Sequence, residues 1–250
     1  MPILCAGQSD IGRKRKTNQD AIFCQGGLTY FLVADGMGGH NGGDIASAIA
    51  TASFEHYLEE QKKAKRQDDP NILVEAFKEA NREIFNKSQL SPELHGMGTT
   101  MVGFFFIKST VYVGNVGDSR AYLFSKDKLY QLTRDHSLVQ EKLNLGMYNR
   151  DQAQADPKKN VLVRTIGFEP EVEVDVFTYK VSRYDLLLLC SDGLHGKVSD
   201  RDIHYIISKN IQDPKTTTEA QLENCVSDLI ANANANGGQD NISVVICLAK

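Results

Sequence analysis

The sequence predicts an α+β fold: two antiparallel sheets packed face to face as a central β-sandwich, flanked by helices on both sides in four layers, αββα. Three observations predict it. Strand-like and helix-like segments come in blocks (strands, two helices, many strands, two helices, one strand), not in the β–α–β alternation of a parallel sheet. The strand-like runs are dense in Val, Ile, Phe, Tyr and Leu and are bounded by Gly, Asp or Ser. The helix-like runs carry an apolar face, which helices placed outside two packed sheets would bury.

In chain order, strands are expected at Ala21–Cys24, Leu28–Ala34, Met101–Lys108, Thr110–Val116, Arg120–Phe124, Val172–Val181, Leu186–Cys190 and Ile242–Leu248. Tight turns at Lys108–Ser109 and Ser125–Lys128 join consecutive antiparallel hairpins. A helix opens at Asp44, with Ile45, Ala48, Ile49 and Ala52 at helical spacing. A second opens at Asp69-Pro70 and places Leu73, Ala76, Phe77, Ala80 and Ile84 on one face. Ser199 caps a shorter helix with Ile203, Ile206 and Ile207, and Thr218 opens the last, which stops at Gly237. The segment Ser137–Gly167, with Gly146 inside it, is polar. It starts a helix at Ser137-x-x-Gln140 and breaks at Asp156-Pro157, as an excursion inserted between strands and bordering an active site does. No linker or repeat divides the chain, so residues 1–250 are read as one domain.

Composition narrows the function. The 28 Lys+Arg against 32 Asp+Glu give a formal charge of −4, which argues against a general nucleic-acid binder. The dense basic cluster Gly12-Arg13-Lys14-Arg15-Lys16 is too small to reverse that. No apolar run reaches the roughly 18 residues of a membrane span, and no signal peptide is visible at the N-terminus. The cysteine count of 5 is odd, none form a CxxC pair, and most sit among apolar residues as buried free thiols do. A cytoplasmic location and no cysteine-based metal site are therefore expected.

The acidic residues carry the chemistry. Aspartates end strands at Val33-Ala34-Asp35-Gly36, Val116-Gly117-Asp118-Ser119, Cys190-Ser191-Asp192-Gly193 and Gln239-Asp240-Asn241, and Asp20 precedes another strand. Any one Asp-Gly is ordinary turn chemistry. As a group they are harder to dismiss, because Asp35 and Asp192 follow runs apolar enough to be buried strands. Converging carboxylates repel one another and call for cations. Oxygen ligands without a Cys or His quorum favour Mg²⁺ or Mn²⁺ over Zn²⁺. The loop 35–43 holds five glycines in nine residues, which lets backbone approach an ion or substrate. It lacks the Gly-Lys-Ser/Thr of a nucleotide-cradling loop. Arg15 lies close enough to Asp20 in sequence to reach the same site and grip a phosphate with two donors.

Arg15-x-x-Asn18-Gln19-Asp20, Val33-Ala34-Asp35-Gly36-Met37-Gly38-Gly39-His40, Gly96-Met97-Gly98-Thr99-Thr100, Gly114-Asn115-Val116-Gly117-Asp118-Ser119-Arg120, Leu132-Thr133-x-Asp135-His136-Ser137, Cys190-Ser191-Asp192-Gly193-Leu194 and Asp240-Asn241-Ile242-Ser243 stand in one order along nearly the whole chain. In these the sequence resembles the metal-dependent serine/threonine protein phosphatases of type 2C, the PPM family, in their compact bacterial form. The resemblance implies two Mg²⁺ or Mn²⁺ ions at one end of the sandwich and a third, more weakly held. Asp35 would bridge the two, the Gly36 carbonyl would bind one, Asp192 and Asp240 would hold the other, and Asp20 would sit on the second metal directly or through water. Asp118 would serve the third ion together with Asp192. Arg15 would bind the substrate phosphate, and Ser137–Gly167 would be the flap. A water bridging the two metals would attack phosphorus. His40 stands in for the histidine that animal members place straight after Asp-Gly, where this chain has Met37. Gln19 replaces a glutamate of the animal enzymes. His195 is expected near the rim.

The implied activity is hydrolysis of phosphoserine and phosphothreonine in proteins, opposing a serine/threonine kinase, by a monomer that binds phosphorylated proteins and neither nucleic acid nor membrane. Two alternatives stay open at this point. One is a catalytically silent regulator that binds phosphoproteins, and the other is a phosphatase dedicated to one stress-response partner.

Overall fold

The computed structural model describes residues 1–37, 42–66 and 68–250. In chain order its strands are β1 (Ile3–Asp10), β2 (Asp20–Phe23), β3 (Tyr30–Met37), β4 (Gly98–Thr99), β5 (Met101–Ile107), β6 (Thr110–Val116), β7 (Arg120–Ser125), β8 (Lys128–Gln131), β9 (Asp175–Lys180), β10 (Leu186–Cys190) and β11 (Ile242–Ala249). Its helices are α1 (Gly43–Lys63), α2 (Asn71–Leu90), α3 (Leu138–Asn144), α4 (Arg150–Ala155), α5 (Asp192–His195), α6 (Asp200–Asn210) and α7 (Glu219–Ala235). One sheet has the order β1-β11-β10-β7-β8, the other β2-β3-β5-β6-β9 with β4 paired to β3. The pairings along both sheets are antiparallel.

The two-residue period of the strands builds the layers. In β10, Leu187 and Leu189 point between the sheets and meet Phe31, Val33, Val102 and Phe104 of the opposite sheet. Leu186, Leu188 and Cys190 point the other way, onto Ile203, Ile207, Leu222 and Leu229 of α6 and α7. Both faces are covered, which is why β10 reads as an unbroken apolar run. In β3, Phe31 and Val33 face the sandwich interior, whereas Leu32 and Ala34 lie against Ala46, Ala50 and Phe54 of α1 and Leu73 and Phe77 of α2. The order of layers is thus helices, sheet, sheet, helices.

The helix starts follow the side chains that the sequence offers. Ser199 accepts from the Asp202 amide, and Thr218 forms a capping box with Gln221. Ser137 caps α3 by accepting from the Gln140 amide. Some expectations need correcting. β1 is absent from them because half of it (Gly7, Gln8, Ser9, Asp10) is glycine or polar. It forms nonetheless as an edge strand pairing with β11 from Ile3↔Ala249 to Asp10↔Ile242. β3 runs on to Met37, past the expected end at Ala34, because β4 gives Gly36 and Met37 partners. β9 starts at Asp175, not Val172, since Val172 and Val174 pack against the α1–α2 layer before pairing begins.

The 137–167 segment holds α3 and α4. It is closed at its neck by Leu138 N–H to Val161 O at 2.9 Å and Val163 N–H to His136 O at 3.0 Å. Its far end is pinned to α2 where the Gly167 amide donates to Asn81 Oδ1 at 2.7 Å. The five cysteines are free. Among the described residues no helix is long and apolar enough to cross a membrane.

Truncating a doubly covered strand leaves a cavity that neither layer can fill. Leu188→Ala is expected to cost roughly 2 to 5 kcal/mol in urea unfolding. Leu90→Ala, at a side chain that is 80% exposed, should stay within about 0.5 kcal/mol.

Candidate active site

The aspartates meet at one end of the sandwich. Asp35 lies in β3, and Asp20, first residue of β2, is its direct cross-strand partner. Asp118 sits in the turn between β6 and β7, Asp192 opens α5 just after β10, and Asp240 is separated from the start of β11 by Asn241. Both sheets therefore contribute. A cleft of about 280 Å³ is lined by Asp35, Asp118, Asp192 and Asp240, together with Arg15, Gln19, Gly36, Met37 and Thr100. Asn160 and Leu162 of the 137–167 segment line it too, so that segment forms one wall.

Each carboxylate is held by its surroundings. Asp20 lies behind the cleft, buried, and its Oδ2 accepts from Ser191 Oγ at 2.8 Å and Ser243 Oγ at 2.7 Å. The Asp35 backbone is clamped by Thr100, whose Oγ1 accepts from the Asp35 amide at 3.0 Å and whose amide donates to Asp35 O at 2.8 Å. Asn241 gathers the incoming 11–19 loop. Its Nδ2 donates to Ile11 O at 2.9 Å and Thr17 O at 3.0 Å, and its Oδ1 accepts from the Gln19 amide at 2.8 Å. That loop delivers Arg15, whose Nη2 donates to Asp240 Oδ2 at 2.7 Å. Gly36 admits no side chain: a Cβ there would fall on the Gly43 carbonyl and within 2.5 Å of Gln19 O.

Burial and mutual repulsion perturb the acids. Desolvation, with smaller contributions from Asp192 and Asp240, pushes Asp20 up to about 7 against the pull of its two serines. Desolvation and then Asp192 raise Asp118 to about 8. Desolvation and Asp240 raise Asp192 to about 6, and Asp35 is raised well above 3.8 by burial and by the four other aspartates. Asp35 and Asp192 are near enough for each to perturb the other's titration. Asp20 Oδ1 and Asp192 Oδ1 are buried and have no hydrogen-bond partner among the described residues. The unsatisfied, oxygen-only donor set fits a hard divalent cation. Among the described residues no three His, Cys, Asp or Glu side chains close on a common point, so the carboxylates line the cleft rather than form a finished cage.

The structure thus brings Arg15, Asp35, Gly36, Asp118, Asp192 and Asp240 to one cleft, with Asp20 directly behind. His40 lies outside the described residues. Of the flap residues, Ser137 caps α3, Gly146 takes a positive φ of 69° just past that helix, and Gly167 is the anchor at Asn81. His195 does not merely border the site, because its Nε2 donates to Asp118 O at 3.0 Å. The supporting roles of Thr100, Ser191, Ser243 and Asn241 are absent from the sequence reading, although all four lie within the quoted motifs. Ser191, Asn241 and Ser243 each sit within a few residues of an aspartate while Thr100 has none nearby in sequence, and only the folded register shows which aspartate each one serves.

The profile of the family described as protein phosphatase 2C matches residues 6–227. The serine/threonine phosphatase stp of Listeria monocytogenes is 37% identical over 247 residues, covering 96% of this chain and 93% of its own length. The crystal structure of the serine/threonine phosphatase PstP/Ppp of Mycobacterium tuberculosis superposes with a TM-score of 0.86 at 29% identity, covering 100% of both chains. A serine/threonine protein phosphatase catalytic domain solved in complex with 2 manganese ions superposes with a TM-score of 0.83 at 29% identity, over 99% of this chain and 98% of its own. The chain belongs to the protein phosphatase 2C family. It is an enzyme of that kind, a serine/threonine protein phosphatase.

The raised carboxylates set a pH dependence for the metal-free chain. Asp20 and Asp118 keep protons up to about 7 and about 8 when folded but release them near 3.8 when unfolded. Over that interval the folded chain binds more protons, so stability falls as pH rises. His195 acts oppositely. Burial, then Arg120, lowers it to about 3, so it adds stability with rising pH only until the unfolded imidazole titrates at 6.5. In EDTA, the melting temperature is therefore expected to fall between pH 6.5 and pH 8, and Asp20→Asn should flatten the fall. A melting temperature that climbs across this window would contradict the assignment.

Proposed function

We propose that this phosphatase hydrolyses phosphoserine and phosphothreonine in proteins through a centre of two divalent cations, Mg²⁺ or Mn²⁺, with a third more weakly held. The observation that carries the reading is the convergence of Asp35, Asp118, Asp192 and Asp240 on one cleft that Arg15 also lines, with Asp20 behind it and one buried oxygen each of Asp20 and Asp192 left without a partner among the described residues. The matching domain with 2 manganese ions supports it. Asp35, the Gly36 carbonyl, Asp20, Asp192 and Asp240 would hold the pair, and Asp118 with Asp192 the third ion. Bound there, the cations supply Lewis acidity, lowering the pKa of water and offsetting charge on the phosphoryl oxygens.

The chain's own residues do the rest. Arg15 is exposed at the cleft mouth and its one described side-chain contact, to Asp240, uses Nη2. Its remaining donors are placed to grip phosphoryl oxygens, and Asp240 holds the fork in orientation. Asp240, first among the causes, raises the guanidinium pKa, so the grip is permanently charged. The hydroxyl lining the cleft is that of Thr100, which is committed to the Asp35 amide and to Ser119 Oγ at 2.8 Å. No side-chain nucleophile is therefore assigned, and water is proposed as the attacking group. His40 or a water protonates the leaving serine or threonine oxygen. Asn160 and Leu162 wall the cleft from the 137–167 flap of a single 1–250 catalytic domain. Phosphoprotein substrates imply a serine/threonine kinase that makes them. A monomer in the cytoplasm is the simplest setting.

Turnover of a phosphothreonine peptide is expected to vanish in EDTA and return with Mn²⁺ or Mg²⁺. Asp192→Asn should lose at least about 10²-fold at saturating Mn²⁺, the scale of removing one preorganised electrostatic partner. Metal-independent turnover, or an Asp192→Asn variant at wild-type rate, would overturn the reading. Arg15→Ala should raise KM more steeply for the peptide than it lowers kcat, since its described contact is at the mouth of the cleft rather than behind it. An unchanged KM would remove Arg15 from the phosphate.

A further inference from the structure

His136 has no part in the mechanism above, yet it is buried beside the site and every polar atom it owns is engaged. Its Nδ1 accepts from the Gly117 amide at 3.1 Å, and its own amide donates to Gly117 O at 2.9 Å. It therefore grips Gly117 from both sides. An amide can only donate, so Nδ1 carries no proton and the ring proton sits on Nε2. Nε2 faces the acceptor Asp175 Oδ2 at 3.2 Å, while Arg164 Nη1, farther off at 3.4 Å, donates at 2.7 Å to Asp175 Oδ1. The His136 carbonyl accepts from Val163, and the next residue, Ser137, bridges Leu162. One residue thus touches the Asp118 turn, both feet of the flap and the edge strand β9.

Gly117 needs such a grip. Its φ is +107°, and a Cβ would fall 2.6 Å from Thr100 Cβ, so the turn that aims Asp118 is tight against its neighbour. His195 Nε2 secures the next carbonyl, that of Asp118, from the other side. Two imidazoles therefore bracket the Gly117–Asp118 peptide. Burial, first among the causes, lowers the pKa of both rings, in keeping with the neutral forms these hydrogen bonds require.

We infer that His136 is a positioning residue: an imidazole protonated at Nε2 that fixes the Gly117–Asp118 turn and ties both feet of the 137–167 flap to it, so that the Asp118 carboxylate and the flap wall keep one relative placement. The part played by Asp118 in metal use rests on the function proposed above, whereas the geometric tie does not.

Two near-isosteric variants separate this role from plain packing. His136→Asn sets an amide oxygen near the place of Nδ1 and keeps the acceptor for the Gly117 amide. His136→Gln reaches towards Asp175 but leaves that amide without its acceptor. In the full-length, metal-free chain, hydrogen exchange at the Gly117 amide is expected to stay slow in His136→Asn and to speed up by about 10-fold or more in His136→Gln. With Mn²⁺ added, the concentration giving half-maximal turnover should rise about 10- to 100-fold in His136→Gln and much less in His136→Asn, as loss of a residue orienting a ligand does. Nitrogen NMR of the wild-type imidazole needs no variant and should show Nδ1 bare and Nε2 protonated at neutral pH. A proton on Nδ1, equal exchange at Gly117 in both variants, or a Mn²⁺ requirement that follows the melting temperature alone would each overturn the assignment. If the wild-type chain takes up no Mn²⁺, the proposed metal chemistry fails, while the exchange and NMR arms still decide the role of His136.

Discussion

Asp35 from one sheet and Asp192, just past a strand of the other, line the same cleft, with Asp20 directly across from Asp35 and Asp240 just ahead of β11, the neighbour of β10. Like charges taken out of water at such spacing repel strongly and lose hydration. The fold accepts both costs because the strands that carry them are locked elsewhere. β10 is covered on both faces, β3 is packed between α1–α2 and the opposite sheet, and the register of β2 on β3 is fixed by their ladder. The scaffold over-determines where the carboxylates go, as preorganised sites require.

Around that cluster lies a layer of residues that act on backbone rather than on substrate. Thr100 holds the Asp35 peptide, Asn241 draws in the loop that carries Arg15, and two serines hold Asp20. His136 and His195 bracket the Asp118 turn, and His136 also reaches the feet of the flap. The flap is therefore joined to the site through a buried hydrogen-bonded unit and not merely through the connecting chain. A ligand between wall and cleft would meet both as one surface.

The four-layer architecture was legible because it follows from block order and from one-faced helices, and the helix starts at Ser199 and Thr218 were legible because capping is local chemistry. β1 was not, since an edge strand needs only one face and one neighbour, and Gly7 to Asp10 lack the apolar density of an interior strand. The aspartates could be picked out by their repeated place at strand ends, and the resemblance put them in a single site. What stayed hidden was which partner serves which acid. Ser191 and Ser243 adjoin other motifs in sequence, yet both turn to Asp20, a pairing across 171 and 223 residues that only tertiary register creates. His136 stood inside a quoted motif without a role for the same reason: its partners are Gly117, in the turn after β6, and Asp175, in β9.

The central claim is that cations replace protons among these carboxylates. Calorimetric titration of Mn²⁺ into the metal-free chain near pH 6.5, repeated in two buffers of different ionisation enthalpy, counts the protons exchanged on binding. Asp20 at about 7 and Asp118 at about 8, with Asp35 well above its ordinary value, predict that uptake releases at least about one proton per chain and that the heats differ between buffers accordingly. Binding heats identical in both buffers, or no binding at all, would contradict the account.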